Sequence, residues 1–114
     1  MKQIRKTYKD LNPELLLAEI REFVTAMGMK IISSKQETYM LPDDSANFGT
    51  RGTLVFGTAD TAAKESLRVH IVGSPVEETK LLIDVDETKL KAEDIQALMD
   101  DVDFIFSSRE AGKS

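Results

Sequence analysis

Apolar and polar residues alternate most cleanly over residues 67–86, LRVHIVGSPVEETKLLIDVD. Leu67, Val69 and Ile71 alternate with Arg68, His70 and Val72. Beyond a turn-rich interruption, Leu81, Ile83 and Val85 alternate with Leu82, Asp84 and Asp86. A period of two marks a half-buried strand, so this stretch predicts a β-hairpin. Elsewhere the period changes. Leu16, Ile20, Phe23, Val24 and Met27 recur at helical spacing, with Leu15 and Leu17 beside them. They follow Asn12-Pro13-Glu14: a capping side chain, a residue pre-shaped for the first helical position, and an acid suited to the helix dipole. Gly28 is a natural left-handed stop, and the spacing predicts a helix over 13–27. From Ala92 onward, Ile95, Leu98, Met99, Val102, Ile105 and Phe106 follow the helical period again. They predict a second helix to Ser107 or Ser108, with Gly112 past its end. The strand propensity of Asp-Phe-Ile-Phe allows an alternative, a helix ending near Asp101 and a short strand after it.

The remaining segments are less regular. Met29 to Leu41 is rich in β-branched and aromatic residues but alternates poorly, which predicts a long or bulged strand at a sheet edge. Residues 42–52, PDDSANFGTRG, carry turn chemistry and read as the longest loop. Residues 53–59 read as a strand with Leu54 and Phe56 inward and Val55 and Gly57 outward, and residues 60–66 as a connection. Residues 1–11 are polar and read as a flexible lead-in, 12–110 as one domain, and 111–114 as a tail. The element order is then αββββα. An antiparallel meander with one apolar face needs a cover, and two amphipathic helices supply it. The expected fold class is α+β, a two-layer sandwich of a four-stranded antiparallel sheet with both helices on one face. In element order alone it is similar to helix-grip and TATA-box-binding-protein-like arrangements.

Composition narrows the chemistry. The 114 residues are 41% hydrophobic and 31% charged, as in a globular chain with one modest core. There is no tryptophan, with five Phe and two Tyr, so that core is mostly aliphatic. The absence of cysteine excludes disulfides, thiolate catalysis and cysteine-based zinc sites. No stretch resembles a signal peptide or approaches the roughly 18 apolar residues of a membrane helix, so a cytoplasmic location and no membrane contact are expected. The net charge of −5 is uneven: residues 1–50 carry seven basic and seven acidic side chains, residues 51–114 eight and thirteen. Lys2, Arg5, Lys6 and Lys9 precede the first acid, whereas Asp100, Asp101 and Asp103 crowd the second helix. The acidic balance argues against nucleic acid as the main partner, because such binders need a concentrated basic field.

Directly opposed residues in a sheet point to the same face. For Val69 and Ile71 to share the core face with Ile83 and Val85, two hairpin registers serve. The first sets His70 opposite Asp84 and Arg68 opposite Asp86. The second sets Arg68 opposite Asp84 and His70 opposite Leu82. Either way, Arg68 and His70 lie among carboxylates on the face away from the helices. Asp84 can then orient His70 as a general acid or base while Arg68 holds an anion; cross-strand ion pairing explains the same residues without chemistry. Val55, Val72 and Leu82 add apolar members to that face and can form a dimer interface or a ligand floor. In the 47–52 segment, Arg51 and backbone amides can meet a phosphate, though no P-loop or dinucleotide pattern is present. Phe48 reads as a core plug or a binding residue. The acids Asp84, Asp86 and Glu87 lack the ligand spacing of a calcium loop, so no metal is expected, nor any cofactor.

These features lead to an expected non-catalytic binding or interaction module, homodimeric or bound to a protein partner, acting through the open sheet face or the acidic second helix. The alternative is a small-ligand-binding protein or enzyme of helix-grip type with its site near Arg68, His70 and Asp84. A nucleic-acid accessory using the basic N-terminus is the weakest reading.

Overall fold

A computed structural model of the chain describes residues 2–41, 44–57, 65–74, 76 and 78–109. The elements run β1 (Lys2–Tyr8), α1 (Pro13–Ala26), β2 (Lys30–Leu41), β3 (Asp44–Gly57), β4 (Glu65–Gly73), β5 (Thr79–Val85) and α2 (Ala92–Phe106), with a short 3-10 turn Ser107–Arg109. The five strands form one antiparallel sheet in the order β1-β5-β4-β3-β2. The fold is α+β as expected, but the sheet has five strands, not four.

The added strand comes from the segment expected to be a flexible lead-in. Residues 2–8 pair along their whole length with β5, Ile4 opposite Ile83 and Tyr8 opposite Thr79. Only Ile4 and Tyr8 mark its apolar side, because Lys2 and Lys6 occupy the other core-facing positions. Tyr8 is buried and meets the Phe106 ring edge-on, centroids 6.3 Å apart. Lys6 Nζ reaches Asp103 Oδ1 of α2 at 2.8 Å, and Lys9 N donates to Arg109 O at 2.7 Å. The C-terminal end of α2 thus fastens β1 to the sheet.

α1 begins as its sequence prescribes: Asn12 Oδ1 accepts from Glu14 N at 2.9 Å, with Pro13 in the first turn. It ends at Gly28, whose φ of +94° lies where a side chain would strain. α2 is continuous to Phe106, so the alternative short strand does not form. Lys91 makes no capping bond there, and Glu93 and Asp94 complement the exposed N–H groups instead. Leu16, Ile20 and Val24 of α1 join Ile95, Leu98 and Val102 of α2 over Leu54, Phe56, Val69, Ile71 and Ile83, forming one core cluster on one sheet face.

The hairpin adopts the second register: Arg68 faces Asp84 and His70 faces Leu82. The reason lies in the core. This register pairs Leu67 with Val85, Val69 with Ile83 and Ile71 with Leu81, so all six apolar residues find apolar partners. The first register leaves Leu67 opposite Glu87 and Leu81 opposite Gly73.

The expected loop at 42–52 is corrected too. From Asp44 on it belongs to β3, paired with a bulged edge strand β2. Its glycines serve packing, not turning. A Cβ at Gly52 would lie 2.7 Å from Leu17 Cδ2, so the glycine lets α1 close on the sheet. At Gly49 a Cβ would fall 2.4 Å from the Tyr39 ring, which covers that position from across the hairpin. Residues 1, 42–43, 58–64, 75, 77 and 110–114 lie outside the described residues, and with them the end of the expected 53–59 strand, residues 60–64 of the expected connection, Gly112 and the tail; Glu65 and Ser66 belong to β4.

Candidate functional site

The register assembles the open face row by row. One row runs Gln3, Asp84, Arg68, Val55, Ser33 across β1, β5, β4, β3 and β2. The next runs Arg5, Leu82, His70, Thr53, Lys35, and the third Thr7, Lys80, Val72, Arg51, Glu37. In these rows Arg5, Arg68, Lys80, Arg51 and Lys35 stand against two carboxylates, Asp84 and Glu37, with a third, Glu65 at the start of β4, paired to Arg68. The helices opposite carry Glu14, Glu19, Glu22, Glu93, Asp94, Asp100, Asp101 and Asp103 against Arg21 alone. An acidic chain therefore has a basic sheet face and an acidic helix layer. Arg68 does lie among carboxylates, with Asp84 opposite and Glu65 beside it on its own strand; the expectation is corrected for His70, whose cross-strand neighbours are Leu82 and Thr53.

The structure separates the suspected catalytic pair. Asp84 stands in the row beside His70, opposite Arg68. His70 Nδ1 instead lies 3.2 Å from Thr53 Oγ1, its cross-strand neighbour. Arg68 turns to Glu65, Nε donating to Oε1 at 3.0 Å, in a pair three residues apart on its own strand. This geometry holds side chains in place; it aligns no carboxylate behind the imidazole, as a general base would need.

An open hollow of about 560 Å³ lies over β1, β5 and β4, lined by Arg5, Lys6, Thr7, His70, Val72, Lys80, Leu81 and Leu82. A second, of about 400 Å³, adjoins it through Val72 and Lys80 and adds Tyr39, Gly73 and Glu78. Val72 and Leu82 are thus brought together under a cationic rim. Val55 is not part of this floor: it is buried between Arg68 and Ser33, two rows from Val72. Arg51 lies on the open face with its guanidinium 5.7 Å from the Tyr39 ring centre. Phe48 is no core plug: it is 59% exposed opposite Met40, on the other face of the hairpin.

The acids resolve into separate local roles. Asp103 pairs with Lys6, and Asp100 accepts from Gln96 Nε2 at 2.8 Å. Asp86 caps the turn after β5, accepting from Thr88 Oγ1 at 2.6 Å and Thr88 N at 3.0 Å. The Thr88 hydroxyl and then its amide hold the Asp86 carboxyl below its ordinary range, with desolvation opposing them and Lys89 adding to them. Among the described residues no three or more His, Asp or Glu side chains converge as a metal site, and no helix is long and apolar enough to cross a membrane.

Lys80 and Lys35 were not among the residues singled out from sequence, and Arg5 stood out only as part of the basic N-terminus. Arg5 needed β1 to be recognised, and its only signal is the weak alternation of Ile4 and Tyr8. Lys80 and Lys35 needed the strand register, which short-range pattern does not give. Comparison of the chain with protein-family models, with curated proteins and with solved structures gives no match.

Proposed function

We propose that the chain is a non-catalytic interaction module that self-associates and presents its open sheet face to an acidic segment of a protein partner. The segregation of charge carries this reading: cations are gathered on the uncovered face of a chain whose net charge is −5. Complementary fields steer encounter and fix orientation more than they add affinity, so binding is expected to be fast and sensitive to salt. A cytoplasmic setting goes with it, and the absence of cysteine is compatible with a reducing compartment.

Titration with a glutamate-rich peptide, followed by backbone NMR, tests the surface. Shifts are expected at Arg5, Val72, Lys80 and Leu82, and Arg5→Glu with Lys80→Glu is expected to remove them. Shifts confined to α1 and α2, or none at low salt, overturn the reading. Sedimentation across a concentration series tests self-association, which a strict monomer at millimolar concentration overturns. A second reading, a small-ligand site, draws on the 560 Å³ hollow with Val72 and Leu82 on its floor. Saturable shifts there with octanoate, and none with the peptide, favour that reading over the first.

A further inference from the structure

We propose that two copies of the chain join through β2, antiparallel about a twofold axis that sets Gln36 of one copy opposite Gln36 of the other. The proposal rests on the self-association put forward above and names its interface.

Among the described residues β2 borders only β3, so its other side presents N–H and C=O groups that no described strand takes up, a template for a further strand. Its regular pairing runs from Ser33 to Met40, between a bulge at Ile31/Ser33 and an irregularity at Met40/Leu41. The side chains of this run are exposed except for the partly covered Tyr39. Two copies paired about a twofold place one residue opposite itself, and every other pair follows from that choice. With Lys35 at the centre, Lys35 meets Lys35. With Glu37 at the centre, Glu37 meets Glu37. Like charges directly opposed destabilise a sheet. With Gln36 at the centre, each Lys35 faces the other copy's Glu37, Ser34 faces Thr38, and Ser33 faces Tyr39. Only this register sets Lys35 against Glu37, so charge favours it over the others that the run allows.

Neither Lys35 nor Glu37 has an ion-pair partner among the described residues, so both are free to form these pairs. The opposite edge offers no such match, since β1 carries Lys2, Arg5 and Lys6 and no carboxylate. Pairing through β2 extends the five-stranded sheet into one of ten. The axis is perpendicular to the sheet, so both helix layers lie on one side and both basic faces on the other. The dimer then presents a doubled cationic surface to an acidic partner.

The absence of cysteine makes the register directly testable. Opposed Cβ atoms lie about 4.5–5.5 Å apart, near disulfide reach. Under mild oxidation Gln36→Cys is expected to form a dimer. Ser34→Cys and Thr38→Cys are expected to stay monomeric alone and to cross-link when mixed. Charge reversal supplies a second measurement. K35E or E37K alone is expected to weaken dimerisation by about tenfold, and an equimolar mixture of the two to restore it as a heterodimer. Wild-type dimers by sedimentation, with no Gln36→Cys cross-link and no effect of K35E or E37K, overturn the β2 interface and leave self-association standing. A strictly monomeric wild type overturns both.

Discussion

β1 and β2 both border the sheet, and each presents a row of backbone groups that no strand among the described residues takes up. Along β1 the strand itself is held down by local contacts. Lys6 is tied to Asp103, Lys9 to Arg109, and the arginine's guanidinium returns to the Asp10 carbonyl. Tyr8 is packed against Phe106, and the strand's own charges are all positive. Along β2 none of these devices is present. Its side chains lie mostly in solvent, and its charges are balanced where its pairing is regular. An edge can thus be protected by anchoring and like charge, or left receptive by the lack of them. The two edges carry opposite instructions in the same sheet.

The anchor of β1 gives the largest expected effect. Phe106 is buried against Tyr8, and Phe106→Ala removes the ring and leaves a cavity. A loss of about 3–4 kcal/mol is expected in urea unfolding. Amide exchange should show β1 losing protection before β4. Equal loss across the whole sheet would mean that α2 supports the core generally and does not fasten this edge.

On the β2 side the sensitive point lies beneath the helix, away from the edge itself. Gly52→Ala drives a methyl into Leu17, which is buried, and is expected to cost about 1–2 kcal/mol. Gly49→Ala meets the Tyr39 ring on the open face, where the ring has room to turn, and is expected to change stability by less than about 0.5 kcal/mol. Similar costs at both glycines would show that the hairpin is held as firmly beyond β4 as it is under α1.

The Lys6–Asp103 pair is a smaller device. Both side chains keep partial contact with water, at 20% and 40% exposure, so solvent screens their attraction. Lys6→Gln is expected to cost about 0.5–1 kcal/mol, and the cost should shrink in high salt. A cost unchanged by salt would point to packing of the lysine stem as its cause.

These edges explain which parts of the molecule its sequence discloses. α1, α2 and the β4–β5 hairpin announce themselves because their periods come from burial on one face, and burial is what local pattern records. β1 is hidden because lysines occupy two of its core-facing positions; what holds Lys6 there is Asp103, 97 residues away. The start of β3 is hidden because Gly49 and Gly52 resemble turn residues, while their task is to admit Tyr39 and Leu17 from elsewhere in the chain. The candidate surface was half legible. Strand parity places Arg68, His70, Val72 and Leu82 on the open face, but the cationic character of that face needs Arg5, Lys80 and Lys35 from strands whose register only the full sheet fixes.

The finest device on the β1 side stands where its partner strand ends. Beyond Val85, Asp86 N donates to Ser66 O at 2.9 Å while its carboxylate gathers the Thr88 hydroxyl and amide. These donors favour the charged form and hold its pKa below that of the unfolded chain. The sign follows from linkage. A group with a depressed folded-state pKa contributes stability that is complete above its unfolded value, about 3.9 for Asp. That contribution is lost as pH falls through the lower folded value. Thr88→Ala removes the largest cause and leaves the backbone bond and Lys89. The Asp86 pKa, followed by carboxyl-carbon NMR, is expected to rise part of the way toward its ordinary value, and Thr88→Ser to keep it low. An Asp86 titration unchanged by Thr88→Ala would show that the amide alone sets the charge of this turn, and the hydroxyl would then have no part in fixing the end of β5 against which β1 lies.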